Sequence, residues 1–316
     1  IIYGRWMEMI DNMTGLDDDT FTFKHYTEFL STTSGCFLRG KISETRIGDQ
    51  EAAKDLISSF YDRAVSLLDC EELFIRVVIR EALSAETHPD VYRLIYDKIM
   101  DVIRKNREQK SISSHSILFT EEAVSIFSSI LSMKSEGALV LAALFPDVVE
   151  IFFDYVSMVP RLPDQIKLKL RLCKLTSVIA IQKEQIGVSG AFKLRNLFAK
   201  TVAEWLESAV FYNIDESTNS INTVPVGGRA SDIEYLQIEL ATECSKCLAL
   251  QLQSLVLTVP DGTKEKNFDQ AKDLVFSNFF SLFYKLFQKF NGSDPSPLMI
   301  KSKYKIQNIT DQILKG

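Results

Sequence analysis

Glycine and proline are scarce in this chain, at 13 and 8 among 316 residues. Glycine punctuates a chain by tolerating positive φ, and proline does so by withholding an N–H. With so few of either, the turn-dense pattern of a β-sandwich or barrel is excluded, and no convincing strand is found. No apolar run reaches the ~20 residues needed to span a bilayer. Histidine occurs only as His25, His88 and His115, without metal or triad spacing, which points to solvent or capping roles. No phosphate loop is present either, since Val226-Gly227-Gly228-Arg229 matches no nucleotide fingerprint. No cofactor is therefore expected. A net charge of −6 argues against a general nucleic-acid binder.

The cysteines are Cys36, Cys70, Cys173, Cys244 and Cys247. An odd, scattered set fits reduced thiols in a cytoplasmic protein better than a disulfide framework. Cys244-x-x-Cys247 is the one CxxC, and it lies in a helical pattern with no second pair at zinc spacing, so it reads as two small residues on a helix face. The sequence opens on Ile1 rather than Met and shows no cleavable signal, so it is expected to be an excised piece of something longer.

What the chain does have is amphipathic helix. The central stretch, 162–208, reads as two helices with a short break. Leu168, Leu172, Leu175 and Ile179 repeat at helical spacing on the first, and Leu194, Phe198, Val202, Trp205 and Ala209 on the second. Gly187-Val188-Ser189-Gly190 supplies the turn. Between 161 and 205, nine cations face three carboxylates, a net +6 in an acidic chain. A basic hairpin of this kind has two readings. It is a solvated face that keeps the helices soluble, or it is a docking surface for an acidic partner, anionic lipid or an acidic part of the parent chain, formed by Lys167, Lys169, Arg171, Lys174, Lys193, Arg195 and Lys200.

On either side the same periodicity recurs. Helices are expected over 5–13, over 21–30 closed by Ser31–Gly35, over 51–68 and 71–83, and over 91–103 after His88-Pro89-Asp90. A helix capped at Thr120-Glu121-Glu122 should reach about Met133, and another should run from Val148 to Met158 after Pro146. Residues 40–50 and 105–114 read as polar loops. Beyond the hairpin, 213–231 is the best linker, 232–257 a long helix, and 268–290 an aromatic-rich helix whose phenylalanines read as core. The tail from 298 can form a last helix to Leu314. The organisation expected is 1–212, a linker at 213–231, and 232–316 continuing the array. About twelve helices with short connections predict an all-α fold, a degenerate HEAT/armadillo-like α-solenoid of antiparallel helix pairs, with a closed helical bundle as the alternative.

Several segments resemble neurofibromin and the fungal Ira-type inhibitory regulators of Ras. They are Tyr26-Thr27-Glu28-Phe29-Leu30 with Gly35-Cys36, Phe60-Tyr61-Asp62-Arg63 with Leu67-Leu68-Asp69-Cys70, the run from Gln165 to Leu175, Phe192 to Asn196, and Glu204-Trp205-Leu206. A weaker echo joins Ala271-Lys272 to 279–286. The resemblance is to the helical region N-terminal to the GTPase-activating domain of those proteins. It implies a scaffold segment that is not itself catalytic, because the family's catalytic arginines lie in a separate domain. Phe37-Leu38-Arg39 superficially resembles the supporting-arginine motif, but Gly40-Lys41 replaces its proline-containing continuation and no role is assigned. Implied partners are other domains of the same chain and Ras-pathway proteins, with a homodimer and peripheral membrane association left open and no nucleic acid. The rival functions are an unrelated adaptor or transport-type solenoid and a helical-bundle enzyme. No Glu-x-x-His pair supports the second.

Overall fold

The computed structural model describes residues 1–12, 19–39, 47–108, 112–133, 141, 144–182, 192–211, 230–252, 281–282 and 284–285. All regular structure among them is helical and no strand occurs, so the all-α expectation holds. The described residues form ten α-helices: α1 Ile2–Asn12, α2 Asp19–Arg39, α3 Ile47–Ser66, α4 Leu73–Glu81, α5 Tyr92–Glu108, α6 Ser114–Ser132, α7 Phe145–Met158, α8 Leu162–Ile181, α9 Phe192–Val210 and α10 Ala230–Leu252. A 3-10 turn follows α3, a π turn extends α4, and a second 3-10 turn, Pro89–Val91, leads into α5. The described residues gather into two compact units, Ile1–Met158 and those from Val159 onward. That boundary falls inside the segment 1–212 read from the sequence. The linker region up to Arg229, the glycine turn at 187–190 and most of the aromatic stripe at 268–290 lie outside the described residues. Of that stripe, Leu282 is buried and Tyr284 is exposed.

In the first unit, burial of aromatic surface fixes α1, α2 and α3. Trp6 is fully buried, stacked on Phe23 at 6.2 Å and tilted against Phe60 at 4.9 Å. Its Nε1–H donates to Thr27 Oγ1 at 2.8 Å, and Thr27 in turn donates to the Phe23 carbonyl. No indole N–H is thus left stranded in the core.

Helix α2 does not close at Ser31–Gly35 as the sequence suggests; it runs on to Arg39. The small polar residues keep their own helix satisfied instead of ending it. Thr33 Oγ1 donates to Phe29 O at 2.6 Å and Ser34 Oγ to Ser31 O at 2.6 Å. Ser34 also shares a 2.7 Å hydrogen bond with the buried Tyr61 hydroxyl. Gly35 is there for space. A Cβ at that position would run into the Cβ and ring of His88.

A second correction concerns α6. It starts seven residues before Glu121, at Ser114, where Ser113 and Ser116 form a capping box. Thr120 and Glu122 are therefore interior and buried, not caps. Glu122 receives Arg80 Nη1 at 3.0 Å and stands 3.9 Å from Arg76 Nε. Arg76 also donates to the carbonyls of Cys70 and Glu71, tying down the turn before α4. The apolar face of α4 is Ile75, Val78 and Ile79 with Ala82 beyond it, and Leu73 at its start is exposed. Leu56 of α3 is likewise exposed. Ion pairs in this unit join helices two apart in order: Asp11 to Arg63, Asp62 to Lys98, Arg80 to Glu122 and Arg107 to Asp154.

In the second unit, α10 is the element the others pack on. Helices α8 and α9 both lie along α10 and touch each other over little of their length. The sequence explains this. Gln237, Leu240, Cys244, Cys247 and Gln251 bury one face of α10, and Ala241, Ser245, Leu248 and Ala249 bury the adjoining one. The buried arc spans roughly 200°, twice that of a helix with one neighbour.

Candidate functional site

The candidate site of the second unit is the outer face of α8 and α9. Pro163 in the first turn of α8 has no N–H to waste, and Asp164 beside it meets the positive end of the helix. Ile166, Leu168, Leu172, Cys173, Leu175, Thr176 and Ile179 turn inward. Lys167, Arg171 and Lys174, at spacings of four and three, then fall on a single outward stripe. Lys167 and Lys174 are exposed and Arg171 is half-exposed. Asp164 lies 3.9 Å from Lys167 and 3.6 Å from Arg161. Among the described residues no carboxylate stands within ion-pair distance of Arg171 or Lys174.

Of the seven cations singled out in the sequence, five have described side chains, and one of these, Lys169, does not lie on the surface. Lys200 is exposed on α9 and lies 3.9 Å from Glu204 one turn on. The side chains of Lys193 and Arg195 lie outside the described residues. Lys169 is only 8% exposed, with its Nζ 5.7 Å from the centroid of the Trp205 ring. It is a cation held against an aromatic face, an arrangement that contributes ~1–2 kcal/mol when partly desolvated. Burial pushes its ammonium below the ordinary lysine range, while Cys244 and Cys173 nearby pull it back up. Lys169 thus belongs to the packing between α8 and α9, and the outward stripe is Lys167, Arg171 and Lys174.

Behind that stripe the thiols converge. Cys244 and Cys247 sit inside α10 and are buried, as small residues of a helix face should be. Sequence spacing gave no sign that Cys173 of α8 meets them. Cys173 Sγ is 3.6 Å from Cys244 Sγ, and Cys247 Sγ is 3.0 Å from Thr176 Oγ1. Gln251 Nε2 donates to the Thr176 carbonyl at 3.1 Å. The Cys173 thiol is held well above its ordinary value, chiefly by its contact with the Cys244 sulfur and then by burial. Cys247 is raised too, first by its contact with the Cys173 sulfur and then by burial. No group of three His, Cys, Asp or Glu side chains among the described residues is arranged to hold a metal ion.

The histidines do local structural tasks. His88 Nδ1 accepts from the Asp90 N–H at 3.2 Å, at the start of the 3-10 turn, and His115 Nδ1 lies 3.1 Å from Asp69 O. His25 is exposed beside Glu28, edge-on to Phe21. No helix among the described residues is long and apolar enough to cross a membrane.

The described residues thus form an all-α chain with a basic outer stripe on α8. Its relatives agree with the resemblance read in the sequence. The chain is 19% identical to the inhibitory regulator protein Ira2 of Saccharomyces cerevisiae over 325 residues. It is 20% identical to the inhibitory regulator protein Ira1 of the same yeast over 342 residues. Each alignment covers 98% of this chain and only 10% or 11% of the relative. The chain thus spans about a tenth of the length of these curated relatives. No family model matches it.

Proposed function

We propose that the chain is a helical scaffold segment of a larger negative regulator of Ras. It is non-catalytic in itself, and it supports a GTPase-activating module carried elsewhere in the parent protein. The observation that carries this reading is the similarity, along nearly the whole chain, to two inhibitory regulators. The internal arrangement of the first unit supports the solenoid form. In stacked antiparallel pairs each helix meets its partner and the equivalent helix of the next pair, and the ion pairs here link helices two apart. A scaffold of this kind works in the cytoplasm. Its surfaces serve other domains of the same chain, a second copy, or Ras-pathway proteins, and the basic stripe on α8 suits an acidic partner or a peripheral contact with an anionic membrane.

The test is a GTP-turnover assay with a Ras-type GTPase, run with the purified 316-residue chain and with the full-length parent protein, intact or lacking this segment. The isolated chain leaves turnover at its intrinsic rate. Deleting the segment weakens binding or localisation of the parent while the activating module keeps its activity. Acceleration by the isolated chain would overturn the reading.

A further inference from the structure

Cys173 of α8 and Cys244 of α10 are 71 residues apart in sequence, yet their sulfurs face each other at 3.6 Å in the core of the second unit. Both belong to helix interiors, so the approach is set by the packing of α8 along α10 rather than by a loop. Each is at most 1% exposed. One turn before Cys173 lies Lys169, a buried ammonium with no carboxylate at ion-pair distance among the described residues; its charge acts on Cys244 more than on Cys173. Cys173 is held protonated by the sulfur it faces. The pair therefore stands on the 3.6 Å approach of two helix-borne sulfurs, with the Lys169 ammonium beside them.

We propose that Cys173 and Cys244 are an oxidisable dithiol, which closes to a disulfide joining α8 to α10 when a peroxide reaches the core. The Cys244 sulfur gives up its proton and attacks one peroxide oxygen. The O–O bond breaks, leaving Cys244 as a sulfenic acid, and the departing hydroxide takes up a proton to become water. The Cys173 sulfur then attacks the Cys244 sulfur, and the S–O bond breaks as the S–S bond forms. The departing hydroxyl takes the Cys173 proton and leaves as a second water. Two thiols give up two electrons and the peroxide is reduced to two waters. Cys247 also contacts Cys173 and is the rival partner, but its sulfur is engaged with the Thr176 hydroxyl at 3.0 Å. Closure converts a non-covalent helix contact into a covalent one and stiffens the unit that carries the basic stripe. A thiol reductant reverses it.

The experiment exposes the folded 316-residue chain to hydrogen peroxide, blocks the remaining thiols with an alkylating agent, and maps the peptides without reduction. The expected product is a linked Cys173–Cys244 peptide pair, lighter by two hydrogens and lost on adding dithiothreitol. It comes with a raised thermal midpoint and unchanged alkylation of Cys247. Cys247→Ser retains the link. Oxidation confined to the exposed Cys36 and half-buried Cys70, or a link through Cys247, overturns the proposal. So does a link that forms equally fast in urea, because the fold would then not be placing the pair. Peptide mapping of the unaltered chain decides the matter even if Cys247→Ser fails to fold.

Discussion

Arg80 on α4 donates from Nη1 to the Glu122 carboxylate on α6 at 3.0 Å, across 42 residues of sequence. Glu122 is the only acid of the pairings described in the first unit that is buried, and Arg76 approaches its other oxygen. Removing one partner of a buried pair leaves an uncompensated charge, which costs about 3–5 kcal/mol. Glu122→Ala should therefore destabilise the first unit by about 3 kcal/mol. Asp97→Ala, which breaks an exposed pair with Arg93, should change stability by less than about 1 kcal/mol. Urea denaturation of the two variants checks the contrast, and equal midpoints would remove Glu122 from the core argument.

Gly35 offers a test in which the sign alone decides. In an ordinary helix interior, Gly→Ala stabilises by about 1 kcal/mol. Here the added methyl meets His88, whose own backbone is fixed by the 3-10 turn that starts α5. Overpacking of this sort costs about 1–3 kcal/mol. Gly35→Ala is expected to lower the thermal midpoint. A rise would mean that α2 and the His88 turn are not in contact.

The contrast between Gly35 and the other helix boundaries shows what the sequence could reveal. Periodicity located the helices because each must bury one apolar stripe, and Leu168, Leu172, Leu175 and Ile179 do so as their spacing requires. Local rules failed where a distant element intervened. Ser31, Ser34 and Gly35 have the composition of a helix end, but they are small because Tyr61 and His88 pack on them. Glu122 resembles a cap in sequence because its partners Arg76 and Arg80 lie over forty residues upstream. The same limit applies to the site. The cations of α8 were legible as a face, but the burial of Lys169 against Trp205 depends on α9, and the approach of Cys173 to Cys244 depends on α10. Only the fold supplies those neighbours.

Tyr61 predicts an alkaline weakness. Burial raises its phenol above the ordinary value, and the hydrogen bonds with Ser34 and Thr87 only partly oppose that. A group whose folded value is raised gives stability that is fully present below the unfolded value, near 10 for tyrosine, and lost as pH climbs through the folded value. Stability of the first unit should thus be flat through neutrality and fall above about pH 10. Tyr61→Phe should flatten that alkaline decline. At neutral pH it should cost about 1 kcal/mol for the hydrogen bond to Ser34. Denaturant midpoints measured across the alkaline range for both proteins provide the check.

The last prediction separates the surface role of the basic stripe from the packing role of its buried neighbour. Lys167, Arg171 and Lys174 share the outer face of α8, so reversing all three to Glu alters the field of that face without entering the core. Binding to phosphatidylserine vesicles, or to acidic fragments of the parent chain supplied in trans, should weaken as salt rises. The screening length shrinks to ~8 Å at physiological ionic strength, and exposed charges feel it fully. The triple reversal should abolish such binding and leave the urea midpoint within about 0.5 kcal/mol of the parent's stability. Lys169→Met should do the opposite. It removes a cation from the Trp205 ring and a charge from beside the thiols, so it shifts stability while binding persists. If the two variants gave the same pattern, or if the reversal left binding intact, the outward stripe would be a solvated face and nothing more.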